Sequence, residues 1–169
     1  MESTRGERIA FGRHTINTIP SKEFWIRDFF RNDHERLDRL LAEFQNSKRN
    51  NFAHAAEAFR DFQTGLKRHI QWEEEVLFSA FETDDKSLTS GPTVVMRAEH
   101  RKIEEALQRL DDCVRDENPD CDEDEARLVE ILQAHNFKEE RVVYPMVDRM
   151  LGTAAKEALL HRIRALAST

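Results

Sequence analysis

From residue 26 onward, apolar side chains recur every three or four positions, the spacing of one face of an α-helix. Ile26, Phe30, His34, Leu37, Leu41 and Phe44 make a first stripe, closed by the polar run 46–51. Ala55, Phe59, Phe62, Leu66, His69, Glu73, Val76 and Ala80 make a second, and a loop over 83–92 follows it. Pro92 at the end of that loop suits the first turn of a helix. The third stripe is Met96, His100, Ile103, Glu104, Leu107, Leu110 and Val114, broken at 116–120. Acidic residues at 122–125 suit the positive end of the next helix. That helix carries Leu128, Ile131, Leu132, His135, Glu139, Val142, Met146 and Met150, with Pro145 expected to kink it or break its hydrogen-bond ladder. Gly152 is a stop signal, and 154–166 predict a short fifth helix. The expected fold is all-α: an up-down-up-down four-helix bundle over 21–152, with an irregular extension over 1–20 and a short C-terminal helix within 153–169.

Composition narrows this further. Only 5 Gly and 4 Pro in 169 residues argue against a turn-rich β-sandwich or barrel, while 11 Phe and 2 Trp argue against a disordered chain. A net charge of −7 leaves no basic surplus to neutralise phosphates, which argues against general nucleic-acid binding. No apolar run approaches the ~18 residues of a membrane span, and residues 1–8 carry charges where a signal peptide needs an apolar stretch. Two cysteines, Cys113 and Cys121, are too few for a disulfide scaffold and are expected as free thiols. The expectation is a soluble, cytoplasmic protein with no membrane and no nucleic-acid partner.

The chemistry lies inside the stripes. Each of the four predicted helices carries one central histidine, His34, His69, His100 and His135, at separations of 35, 31 and 35 residues. In an antiparallel bundle such near-equal steps bring all four to a similar height, within about a turn at ~1.5 Å rise per residue. Three have a glutamate four residues on: Glu73, Glu104 and Glu139. Positions i and i+4 share a helix face, about 40° apart. Four imidazoles and three carboxylates are thus directed inward with no cationic side chain among them. Buried, unpaired carboxylates are costly and repel one another, so metal ions are the natural counter-charge. A single stripe histidine is more often a core residue, and a single His-x-x-x-Glu pair a surface feature; the argument rests on their joint occurrence. His14, His54 and His161 fall outside this constellation.

Seven N and O donors exceed what one tetrahedral zinc takes, and none is a thiolate. They suit two octahedral ions with bridging carboxylates. Two divalent ions and a hydroxide bridge would neutralise three glutamates. Other metal and nucleotide motifs fail: position −3 from each histidine is Arg31, Leu66, Arg97 or Leu132, not the Glu of ferritin-like bundles. His34-Glu35 continues to Asp38 rather than to a second histidine, and the 116–127 region lacks the Gly and final Glu of an EF-hand.

His34, His69-x-x-x-Glu73, His100-x-x-x-Glu104 and His135-x-x-x-Glu139, with the phrases NDHERLDRLL, HIQWEEEVLF and HNFKEERVVYP, resemble the hemerythrin-like (HHE) cation-binding family over about residues 25–150. The resemblance implies a bundle holding a non-haem di-iron centre, oxo- or hydroxo-bridged, that binds dioxygen or related small ligands. It makes His34, His69, His100 and His135 terminal ligands, and Glu73 and Glu139 bridging carboxylates. The chain departs from the oxygen carriers of that family at Glu104, where they have histidine. It also departs near Glu139, since their last carboxylate falls where this chain has Glu140. As a ligand, Glu104 would favour the ferric state; without it, one iron keeps an extra open position. The functions implied are binding or sensing of dioxygen, peroxide or nitric oxide at an iron pair, with redox side activity rather than a dedicated enzymatic role. The alternatives are iron storage or donation for repair of iron centres, or an interaction module whose iron sets the fold. An apolar pocket of Phe30, Phe62, Leu107 and Met146 is expected around the open position.

Overall fold

Helical periodicity sets the architecture almost throughout. The computed structural model describes residues 25–80, 82 and 90–166, and among these no strand occurs. The helices are α1 (Ile26–Ser47), α2 (Phe52–Trp72), α3 (Pro92–Arg115), α4 (Asp122–Lys138), α5 (Tyr144–Met150) and α6 (Thr153–Leu166). The extension at 1–20, its expected helix start at Pro20-Ser21 and most of the 83–92 loop lie outside the described residues. Helix α1 packs most extensively on α2, and α3 on α4, while α1 also meets α5. The result is a helical bundle. No helix of the described residues is long and apolar enough to cross a membrane.

Two helices do not stay α-helical. After α2 the chain runs through a π segment, Glu73–Leu77, in which the Phe78 amide donates to the Glu73 carbonyl; after α4 it runs through Glu139–Val143, where the Tyr144 amide donates to the Glu139 carbonyl. The expected disturbance at Pro145 takes this form: a proline has no amide to give, and the ladder widens just before it. Each π segment admits an extra residue and turns the downstream face by about 100°. The fourth stripe therefore slips by one position. Val142 and Met150, expected inside, are 54% and 57% exposed, and Val143, Tyr144 and Val147 are buried in their place.

Apolar side chains form two clusters. One gathers Leu37, Leu41, Phe44, Phe59, Phe62, Leu66, Ile103, Leu107, Leu110 and Leu128 toward the short connections after α1 and α3. The other gathers Ile26, Phe30, Trp72, Leu77, Phe78, Met96, Val143, Tyr144 and Val147, and α6 covers it with Leu159, Leu160 and Ile163. Phe62 and Leu107 thus belong to one cluster, Phe30 to the other, and Met146 packs at the edge of the second rather than all four lining one pocket. At the second end, Asp148 stands in for a missing N-cap. Its carboxylate accepts from the amides of Ile26 (2.9 Å) and Arg27 (3.1 Å) and pairs with buried Lys156 (3.4 Å). At the opposite end buried Lys48 bonds Asp122 and Glu125 at 2.7 and 2.5 Å. Cys113 and Cys121 are both free, as expected.

Candidate metal centre

Between the two apolar clusters lies a polar layer. His34, His69, His100 and His135 are each no more than 4% exposed, and Glu73 and Glu139 are fully buried. The first residue of each π segment is the inward carboxylate of that helix. The imidazole Nε2 atoms face each other in two pairs, His34 with His69 and His100 with His135, both at 3.1 Å. Glu139 reaches His135 at 3.0 Å and His34 at 3.4 Å; Glu73 reaches His100 at 3.2 Å and His69 at 3.6 Å. Two groups of donors result, sharing one carboxylate: Glu73, His100, His135 and Glu139 in one, and His34, His69 and Glu139 in the other.

The outer nitrogens explain why the inner ones converge. Nδ1 of His69 bonds Asp33 (2.9 Å), that of His100 bonds Glu74 (2.8 Å), that of His135 bonds Glu99 (3.1 Å) and that of His34 bonds Glu140 (2.9 Å). A carboxylate only accepts, so in every case the ring donates from Nδ1 and turns Nε2 inward. The four contacts run from α1 to α2, from the π segment after α2 to α3, from α3 to α4, and from the π segment after α4 back to α1. They close a ring. Glu140 is thus placed outside the inward donor set, as the partner of His34.

With Nδ1 donating outward, two facing Nε2 lone pairs at 3.1 Å need a proton or a cation between them. Burial alone would lower the His34 imidazole, but Glu139, Glu140 and Glu73 raise it to about 9. Burial opposes the charge on His100 too, and Glu139 and Glu73 raise it to about 10. His135 is raised by the same carboxylate, Glu139, against its own burial. Burial would raise the Glu139 carboxyl, yet the neighbouring imidazoles of His100, His135 and His34 hold it well below the usual range. Asp33, despite burial, is held down to about 2 by His69 and Arg36. Even so, Glu73 Oε2 and Glu139 Oε1 are buried without a hydrogen bond. The spacing suits cations: donors about 2.1 Å from an octahedral ion stand about 3 Å apart along each edge. Imidazole nitrogens and carboxylate oxygens at that spacing fit two first-row transition-metal ions.

Glu104 is not brought into this set. Its side chain is 40% exposed and pairs with Arg101 at 2.8 Å. Helix α3 continues without a π segment, and beyond His100 its inner face belongs to Ile103 and Leu107. The 40° step from His100 carries Glu104 toward solvent instead. His54 bonds Glu43 at the surface and His161 is exposed, both away from the centre, while His14 lies outside the described residues.

One residue enters that sequence periodicity did not mark. Tyr144 is fully buried, with Oη 2.7 Å from Glu73 Oε1, 2.9 Å from Glu139 Oε2 and 3.3 Å from His34 Nε2. Phe30 stacks on its ring at 5.0 Å and meets His69 edge-on at 5.4 Å. The available signal was that it is the chain's single tyrosine, five residues beyond Glu139.

A family model described as the hemerythrin HHE cation binding domain matches residues 26–147. No curated protein and no solved structure matches the chain.

Proposed function

Because the chain belongs to the hemerythrin HHE cation-binding family, we propose that its polar layer holds two iron ions and binds or senses dioxygen, peroxide or nitric oxide. One observation carries the reading: four inward Nε2 atoms and two buried carboxylates form two overlapping donor groups with Glu139 in common. A shared carboxylate between two sets is what a bridged pair needs, and a single ion would leave one set unused. Iron held there would supply reversible electron transfer to a small oxidant. The up-down-up-down order of α1 to α4 belongs to the same reading, supported by the pairing of α1 with α2 and of α3 with α4.

The chain's own residues prepare the site in three ways. Asp33, Glu74, Glu99 and Glu140 fix the four imidazoles and make them better donors. The two apolar clusters exclude bulk water from above and below. Glu104, turned outward, adds no anionic donor at the His100 position, which leaves room there for an exogenous ligand. This favours small-ligand chemistry over iron storage or donation.

The test is the optical spectrum of anaerobically reduced, iron-loaded protein before and after dioxygen, and again after oxygen is removed. Charge-transfer bands that appear and then vanish are expected for reversible binding. Bands that appear and persist would move the function to peroxide chemistry or iron handling. Protein that takes up no iron would overturn the reading.

A further inference from the structure

The two halves of the centre are related by a constant offset. His34 and His100, His69 and His135, Glu73 and Glu139, Asp33 and Glu99, and Glu74 and Glu140 all stand 66 positions apart. The two π segments, Glu73–Leu77 and Glu139–Val143, share that offset. So do the residues that follow them, Phe78 and Tyr144, both fully buried. Each ring lies against the matching imidazole: Phe78 is 5.9 Å from His100 and Tyr144 is 5.9 Å from His34. At this pair the symmetry of the inner layer is chemically broken, because only tyrosine brings a hydroxyl.

That hydroxyl stands where a donor is missing. The group of Glu73, His100, His135 and Glu139 has four residues, whereas that of His34, His69 and Glu139 has three. Oη lies 3.3 Å from His34 Nε2 and 2.9 Å from Glu139 Oε2, on the side of the smaller group, and 2.7 Å from Glu73 Oε1. These are edge lengths of an octahedron with bonds of about 2.1 Å. A hydroxyl has one hydrogen, yet Oη faces two carboxylate oxygens, so it can donate to only one and turns a lone pair toward the other. A cation among the same atoms removes that conflict. We propose that Tyr144 is the fourth protein donor of the metal position built by His34, His69 and Glu139, so that the two metal positions differ in ligand set. On binding a trivalent ion the phenolic O–H bond breaks, its proton passes to solvent, and the oxygen forms the bond to the metal; no electron is transferred. This inference rests on the metal-centre reading above and fails separately from it.

The single tyrosine makes the test direct, since any phenolate signal must come from Tyr144. The full chain is loaded with iron, oxidised to the ferric state and examined by resonance Raman with excitation in the visible, alongside iron analysis. Phenolate ring vibrations coupled to a visible absorption band are expected, and they support tyrosine ligation whatever the iron count. Iron-loaded protein without them overturns the ligation and leaves the pair of ions to be judged by the count alone. A chain that binds no iron overturns both. In Tyr144→Phe the vibrations are expected to vanish while the ion on the His100 and His135 side is retained. The ion on the other side should bind about 10- to 100-fold more weakly, read by competition with a chelator. Persistence of the vibrations in that variant would overturn the assignment. The wild-type spectrum decides the matter independently should the variant fail to fold.

Discussion

Glu140 Oε1 lies 2.9 Å from His34 Nδ1, joining residues 106 positions apart and closing a ring of four carboxylate–imidazole contacts that links every long helix to the next. The contact holds one imidazole in the tautomer that turns its Nε2 inward. Glu140→Gln keeps the size of the side chain but lets the amide offer a hydrogen where the ring needs an acceptor. Metal affinity on the His34 side should fall about 10- to 100-fold, measured by chelator competition, while circular dichroism stays that of a helical bundle. Unchanged affinity would mean that the ring does not govern the donors.

Glu139 and Glu104 occupy the same place in two His-x-x-x-Glu motifs and should respond oppositely. Glu139 is buried and shared by both donor groups; Glu104 faces solvent beside Arg101. Glu139→Gln should cost at least one bound ion per chain by elemental analysis. Glu104→Gln should leave the count unchanged and shift thermal stability by no more than about 0.5 kcal/mol. Loss of an ion from the second variant would bring Glu104 back into the centre.

Protons and metal ions compete for the same nitrogens. His34 and His100 are raised from an ordinary 6.5 to about 9 and about 10, so at pH 7 both are protonated in the metal-free chain. Loading should therefore release about two protons at pH 7, seen by calorimetry in buffers of different ionisation heat. Affinity should rise as pH climbs toward 9 to 10. The metal-free fold behaves in the opposite sense. A raised imidazole stabilises the folded state fully below 6.5, and that stabilisation is lost as pH rises through about 9 and then about 10. Metal-free protein should melt at a lower temperature at pH 10 than at pH 6.5.

Asp148 carries weight outside the polar layer. It accepts from the first two amides of α1 and balances Lys156, which is buried and also lies over Trp25 at 4.4 Å. Asp148→Ala removes a cap and strands a buried cation, and should destabilise the fold by about 1–3 kcal/mol in denaturant unfolding. The number of ions bound should not change.

The sequence was readable where the helix stayed regular. Every residue of the first stripe, from Ile26 to Phe44, is buried, and on α3 every stripe residue except Glu104 is buried. Past Glu139 the extended α-helical period named Val142 and Met150, and the one-residue slip of the π segment put Val143 and Tyr144 inside instead. Tyr144 was missed for that reason alone. Three of the four outer carboxylates were missed for a different one, and Glu140 was named only as a place for a bridging ligand. Asp33, Glu74, Glu99 and Glu140 each adjoin a histidine or glutamate of the inner set, but each serves an imidazole on another helix, a relation that no single-helix pattern contains. Glu104 shows the converse: its motif matches its two counterparts, yet the local path of α3 turns its side chain toward Arg101.

The histidine layer is also a seam. It divides the apolar interior into two separate cores, joined across the middle of the bundle by the continuous helices and by a layer of charge and hydrogen bonds instead of apolar packing. Two cores joined in this way need not open together. While protons or metal ions occupy the imidazoles, the layer binds both halves into one cooperative unit. Without that charge, the end built on α5 and α6 would be tied to the other through the helices alone. Filling the centre would then act on more than chemistry: it would decide whether this chain unfolds in one step or two.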